Sequence, residues 1–225
     1  MIPIFIGYDG RETVAYNVLA HSIQARATQP VSIAPLMLSQ LNGIFKRERH
    51  PLQSTDFSFS RFLTPYLSGF SGWSVFMDCD MLALDDVARL WELRDERYAV
   101  MCVKHDHRPK EEIKFLGAKQ TKYEKKNWSS VMLWNCAHPD NRQLDPAFVE
   151  SKDGAFLHRF KWLADEQIGE IPKEWNWLAI EYEFNPAAKL VHYTLGTPCF
   201  EDYEDTEMAE LWHEGLHRTE EGLGK

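Results

Sequence analysis

Residues 73–80 read WSVFMDCD, an apolar run from Trp73 to Met77 that stops on two aspartates, Asp78 and Asp80, one residue apart. Successive residues of a strand point to opposite faces, so carboxylates at i and i+2 leave its end on the same side. Such a pair is a clamp for a hard divalent cation, because Mg²⁺ and Mn²⁺ take oxygen ligands and are commonly held by one or two carboxylates together with substrate phosphates. The tripeptide alone carries little, since a chain of this length contains about one Asp-x-Asp by chance. The strand in front of it carries the weight: open α/β sheets bind their ligands outside the carboxyl ends of their strands. The stretch therefore predicts an α/β domain that works on a phosphorylated donor.

Upstream, Ile2 to Ile6 is a strand candidate. Glu12 to Ala27 follows as a helix whose stripe is Ala15, Val18, Leu19, Ser22 and Ile23, ending before Pro30. Val31 to Leu38 reads as a second strand, and a strand–helix–strand crossover of this length implies parallel pairing. Asp56 to Ser68 is expected to be helical with aromatics on one side, and Asp85 to Leu93 a short helix. Downstream, Tyr98 to Val103, Val131 to Trp134 and Lys189 to Tyr193 are strand candidates, and Gly154 to Leu163 an amphipathic helix. Lys104 to Lys126 is the most polar stretch and reads as an insertion or loop.

The chain has 225 residues, 44% of them hydrophobic, which is enough for one domain with its own core. A net charge of −9 argues against a nucleic-acid partner, which would require a basic surface. No stretch approaches 18 apolar residues, so no membrane span is expected. The run MIPIFIG is too short and too poor in basic residues for a signal peptide, which points to the cytoplasm and makes the sequon at Asn127 a chance match. Cys79, Cys102, Cys136 and Cys199 show neither CxxC nor zinc spacing and read as reduced core thiols.

In order, these signals resemble the GT-A glycosyltransferases, in particular the retaining family eight that includes glycogenin and the bacterial lipopolysaccharide galactosyltransferases. The motifs that carry the resemblance are IFIGYD, SFSRFLTPYL, GWSVFMDCDMLALDDVARLW, SSVMLWN, IPKEWNWL and VHYTLG, over roughly residues 2 to 200. It implies a single Rossmann-like domain with a mainly parallel sheet and flanking helices. Residues 1–103 would form the nucleotide-binding half, 127–200 the acceptor half, and the rest a polar C-terminal tail. It also implies that Asp78, Asp80 and His192 hold Mn²⁺ (or Mg²⁺) against the diphosphate of a UDP-sugar. Tyr8 and Asp9 would meet the nucleobase, and Arg61, Ser60 and Gly196 the donor. Trp175 and Asn176 would line the cleft of a hydroxyl acceptor such as a glycan, with Trp134 and Trp177 as further aromatic candidates.

Three departures from that family stand out. Its Asn-Ser-Gly or Asn-Ala-Gly is here Asn127-Trp128-Ser129-Ser130. Its Asp-Gln-Asp has no clean counterpart; Asp165 and Glu166 are the nearest acidic candidates for catalysis, with His158 and Arg159 behind them. Its diphosphate lysine is absent from LGTPCF, leaving Lys104 or one of Lys122, Lys125 and Lys126 for that work. Without an assignable nucleophile, front-face transfer with retention is the expected mechanism.

Other readings compete. A non-catalytic sugar-nucleotide binder of the same fold would show such departures. A haloacid dehalogenase-type phosphatase also ends a strand in Asp-x-Asp, but near the chain start and with Thr or Val where this chain has Leu82. His213-Glu214-Gly215-Leu216-His217 matches H-E-x-x-H, yet Gly215 weakens a helix and no room is left for a third ligand, so a polar tail is expected there.

Overall fold

Ile2, Ile4 and Ile6 recur at the strand period and are almost wholly buried, as one face of β1 (Ile2–Tyr8). The computed structural model describes residues 1–47, 53–106, 113–114, 118–119 and 125–223. A turn capped by Asp9 leads into α1 (Thr13–Arg26), whose buried residues are the predicted stripe: Ala15, Val18, Leu19, Ser22 and Ile23. Ser22 earns its place there by bonding: its hydroxyl donates to Leu19 O (2.8 Å) and accepts from Ala83 N (3.1 Å). β2 (Val31–Met37) returns parallel to β1, from Ile2 opposite Val31 to Tyr8 opposite Met37.

Next come α2 (Thr64–Leu67) and the wholly buried β3 (Trp73–Met77), followed by β4 (Met81–Ala83), α3 (Val87–Trp91) and β5 (Val100–Cys102). A two-stranded pair follows, β6 (Ile113–Lys114) with β7 (Ala118–Lys119). Then come β8 (Val131–Asn135), α4 (Pro146–Ser151), α5 (Gly154–His158), β9 (Ile168–Glu170), β10 (Trp177–Leu178), β11 (Leu190–His192) and α6 (Ala209–Leu223).

The main sheet has the order β2-β1-β3-β8-β5-β9. Only β8 runs against its neighbours. The mainly parallel α/β arrangement is the one expected from the sequence. A second sheet, β10-β11-β4, stands beside it, and the antiparallel register of β11 sets His192 opposite Met81.

Three elements differ from expectation. Residues 56–68 are not one helix: Pro65, which has no N–H to donate, sits at the start of α2, and Ser60–Leu63 forms a separate 3₁₀ turn. The helix expected to reach Leu163 ends at His158. Phe160 takes a left-handed φ of 53° and buries its ring edge-on to Phe62, so aromatic packing overrides helix continuation. The C-terminal segment, expected as a polar tail, is α6, anchored by fully buried Trp212. There Gly215 is a packing residue, since a Cβ would meet Leu82 Cδ1 at 2.8 Å.

Candidate metal and donor site

The chain leaves β3 at Met77 and enters β4 at Met81, so Asp78, Cys79 and Asp80 form the link between the two sheets. Asp78 N donates to Ser130 O (2.9 Å), and Tyr193 N donates to Asp80 O (2.9 Å). The backbone of both aspartates is thereby pinned to a neighbouring strand or strand end. Each of Asp78, Asp80 and His192 offers a ligand atom within 4.8 Å of the others. Cys79 points the other way, its thiol donating to Glu12 Oε2 at 3.7 Å.

These three side chains fit a divalent cation. Asp78 Oδ1 and Asp80 Oδ1 are buried and receive no hydrogen bond. Asp78 Oδ1 lies 2.8 Å from Arg61 Nη1, an ion-pair contact without hydrogen-bond geometry. His192 Nδ1 lies 2.9 Å from Asn176 Oδ1, while Asn176 Nδ2 donates to Asn127 O (3.2 Å). The amide is thus oriented as an acceptor, so Nδ1 carries the proton and Nε2 keeps its lone pair in the neutral ring. That lone pair faces Asp80 Oδ1 at 3.3 Å. Two carboxylate oxygens that accept no hydrogen bond and an imidazole lone pair, converging within 4.8 Å, are a set that could hold a metal ion.

Arg61 is nearly buried between the rings of Phe57 and Phe76, with its guanidinium carbon 5.2 Å from each centroid. Its Nη1 also donates to Ser129 O (2.9 Å), which ties Asp78 to the segment entering β8. Ser129 Oγ in turn pairs with His158 Nδ1 (2.8 Å). Burial pushes the Asp78 carboxyl up to about 6, against the pull of Arg61. Behind Cys79, burial and the charge of Asp80 raise the Glu12 carboxyl to about 9.

The remaining candidates fall into groups. Tyr8 and Asp9 stand at the end of β1. Asp9 is 1% exposed and accepts from Arg11 N and Nε, Arg11 Nη2 and Asp56 N. Burial acts to raise its carboxyl, but those bonds outweigh it and hold the group below its ordinary value. Tyr8 OH pairs with Thr13 Oγ1 (2.8 Å). The Ser60 hydroxyl is buried without a hydrogen bond. Gly196 lies where a Cβ would overlap the ring of Tyr203 at 2.3 Å.

Trp175 and Asn176 are both buried, so Asn176 stands behind His192 and its amide is engaged there. Lys104 and Lys125 hold their ammonium groups 5.7 and 5.5 Å from the ring centroid of Trp128. Lys126 is buried, and Lys122 lies outside the described residues. Asp165 and Glu166 sit in an exposed 3₁₀ turn. Asp165 meets Lys125 at 2.6 Å, and that ammonium stands against the Trp128 ring. Sequence reasoning missed Glu12, because an acidic residue at a helix start reads as ordinary dipole pairing. It also missed the bond between Ser129 and His158, which the fold brings together across 29 positions.

No protein-family model matches the chain. It is 52% identical over 216 residues to the Arabidopsis thaliana protein named Protein CDI, covering 93% of this chain and 83% of that protein. Its fold is similar to the bifunctional glycosyltransferase WbbM (TM-score 0.64, 12% identity, 96% of this chain and 49% of that chain). It is also similar to the Streptococcus pneumoniae glycosyltransferase GlyE (TM-score 0.61, 12% identity, 96% of this chain and 60% of that chain). The galactosyltransferase LgtC, solved with donor and acceptor sugar analogs, matches along its whole length (TM-score 0.54, 12% identity, 96% of both chains). The chain thus spans about half of WbbM and 60% of GlyE. The shared architecture is that of the GT-A glycosyltransferases.

Proposed function

Because the chain belongs to the family of the Arabidopsis Protein CDI and has a GT-A fold, we propose that it is a metal-dependent glycosyltransferase. In this reading it moves a sugar from a nucleotide-sugar, a UDP-sugar by resemblance, to a hydroxyl acceptor with retention, as in family eight. The whole chain acts as one domain. The observation that carries the reading is the convergence of Asp78, Asp80 and His192 within 4.8 Å with two carboxylate oxygens lacking hydrogen bonds.

Asp78, Asp80 and His192 would hold Mn²⁺ or Mg²⁺, which when bound offsets the charge growing on the departing diphosphate. Arg61 keeps Asp78 aimed and adds positive charge at the same end. Tyr8 and Asp9 shape the nucleoside end, and Ser60 and Gly196 line the donor path. The glycosidic C1–O bond to phosphate breaks as the acceptor oxygen bonds C1 on the same face. The acceptor's hydroxyl proton passes to the departing phosphate oxygen. Positioning and electrostatics then supply most of the rate. Asp165 and Glu166 are assigned to the sugar and acceptor side. Trp175 backs the acceptor wall, and Asn176 serves it through His192. The cytoplasm is the proposed compartment, in keeping with four unpaired cysteines.

The test is titration calorimetry with a panel of nucleoside diphosphates with and without Mn²⁺, followed by a donor-hydrolysis assay. Asp78→Ala and Asp80→Ala should each reduce metal-dependent turnover to background. Wild-type turnover in either variant sinks the assignment. The exposure of the Asp165 turn favours a second reading, a sugar-nucleotide binder without turnover. Mn²⁺-dependent nucleotide binding with no hydrolysis or transfer would select it.

A further inference from the structure

Asn127 O accepts from Asn176 Nδ2, and Ser129 O from Arg61 Nη1, which places the segment before β8 beside His192 and Asp78. Ser130 in turn accepts from Asp78 N. The segment entering β8 thus borders the metal pair, and Trp128 within it has Lys104, from just past the end of β5, against its ring. This segment lies on the β8 side of β3, and β1, which leads to Tyr8 and Asp9, lies on the other. If the nucleoside lies toward β1 and the diphosphate at Asp78, the transferred sugar falls toward β8 and β5.

The chain builds an unusual wall at that point. Lys125 and Asn127 both take left-handed backbone conformations (φ 58° and 62°), a strain that non-glycine residues hold only when their surroundings fix them. Trp128 is fixed as well, its Nε1–H donating to His105 O (3.0 Å). Against its ring stand the ammonium groups of Lys104 and Lys125, within the range of cation–π attraction. The Asn127 Nδ2 donor is buried without a hydrogen bond. The anion now at this wall is the chain's own Asp165, whose carboxylate meets Lys125 at 2.6 Å while its side chain is 80% exposed. The bond to Lys125 lowers the Asp165 carboxyl, and Lys104 and Lys161 add to that effect. Asp165 is thus a solvent-facing carboxylate held by a lysine that itself stands against the Trp128 ring.

We propose that the wall formed by Lys104, Lys125, Asn127 and Trp128 is a subsite for an acidic donor sugar, a hexose whose carboxylate bridges the two ammoniums while the Asn127 amide donates to a ring hydroxyl. The inference rests on the glycosyltransferase reading and names its substrate class. The ligand carboxylate takes over the Lys125 contact, and Asp165, released from it, stays on the acceptor side of the sugar. Arg61 already stands at the diphosphate end, which leaves the lysines for the sugar.

Calorimetric titration of the full chain in Mn²⁺ with UDP, UDP-glucose, UDP-galactose, UDP-glucuronate and UDP-galacturonate tests this. The acidic donors should bind about tenfold more tightly than the neutral ones, the scale of a hydrogen bond to a charged group. Lys104→Met and Lys125→Met should remove most of that ratio, and Lys125→Arg, which keeps the charge, should retain it even if the Met variants fold poorly. Equal binding of acidic and neutral donors overturns the inference and leaves the parent reading standing. A loss in both Met variants that is the same for every donor overturns it too and assigns the lysines to the diphosphate. Failure of UDP itself to bind with Mn²⁺ overturns both.

Discussion

At the scale of single residues, the site depends on which nitrogen of His192 carries its proton. Asn176 decides this, accepting from Nδ1 while its own Nδ2 donates to Asn127 O. Asn176→Ala should lower Mn²⁺ affinity about 10- to 100-fold, the usual loss when a supporting partner of a ligand histidine is removed. Asn176→Asp retains an acceptor for Nδ1 and should recover most of the affinity. Electron paramagnetic resonance titration of free Mn²⁺ measures both without reference to turnover; equal losses in the two variants would show that the acceptor for Nδ1 is not what Asn176 supplies, since Asp keeps that acceptor and loses only the Nδ2 donor to Asn127 O. The resemblance of IPKEWNWL to the family's segment put Asn176 on an acceptor wall. Its burial behind His192 could not be read locally, since the two residues are 16 positions apart. The Asp-x-Asp pair was legible because its two carboxylates are neighbours in the chain and their strand announces itself by unbroken hydrophobicity.

At the scale of elements, legibility followed periodicity. The stripe on α1 and the span of β3 were read correctly because each repeats one period without interruption. The segment around Phe160 and the C-terminal helix were misread where tertiary contacts outweighed local preference. In α6, Gly215 read as a helix breaker, yet it allows the helix to approach Leu82. Trp212 supplies the anchor, and Tyr193, the residue after His192, donates from its hydroxyl to Met208 O (2.9 Å). Docking of α6 is thus mechanically linked to β11. Trp212→Ala should destabilise the protein by about 3–5 kcal/mol, as expected for a large aromatic removed from a packed core. Urea unfolding followed by tryptophan fluorescence and far-ultraviolet circular dichroism measures this. A loss below about 1 kcal/mol would mean that α6 is not part of the cooperative unit.

At the scale of the whole molecule, acidic groups gather at one end of the main sheet, where β1 and β3 deliver Asp9, Glu12, Asp78 and Asp80 to the same region. Glu12 is 2% exposed, and burial together with the charge of Asp80 raises its carboxyl from 4.5 to about 9. The sign of its effect follows from proton counting. Between these two values the folded protein keeps the proton and the unfolded chain does not, so stability falls as pH rises, by about 1.4 kcal/mol per unit for this group alone. Below the lower value both states are protonated and the effect vanishes; above the upper value both are ionised and the full penalty stands. Gln is close in shape to the protonated acid and cannot ionise. In metal-free protein, Glu12→Gln should therefore match wild type near pH 4.5 and become progressively more stable than it through pH 7 and 8.5. Urea unfolding at those three pH values gives the difference directly. A difference that does not change with pH would mean that Glu12 is already ionised in the folded state, its charge offset by groups other than the burial and the Asp80 repulsion described here.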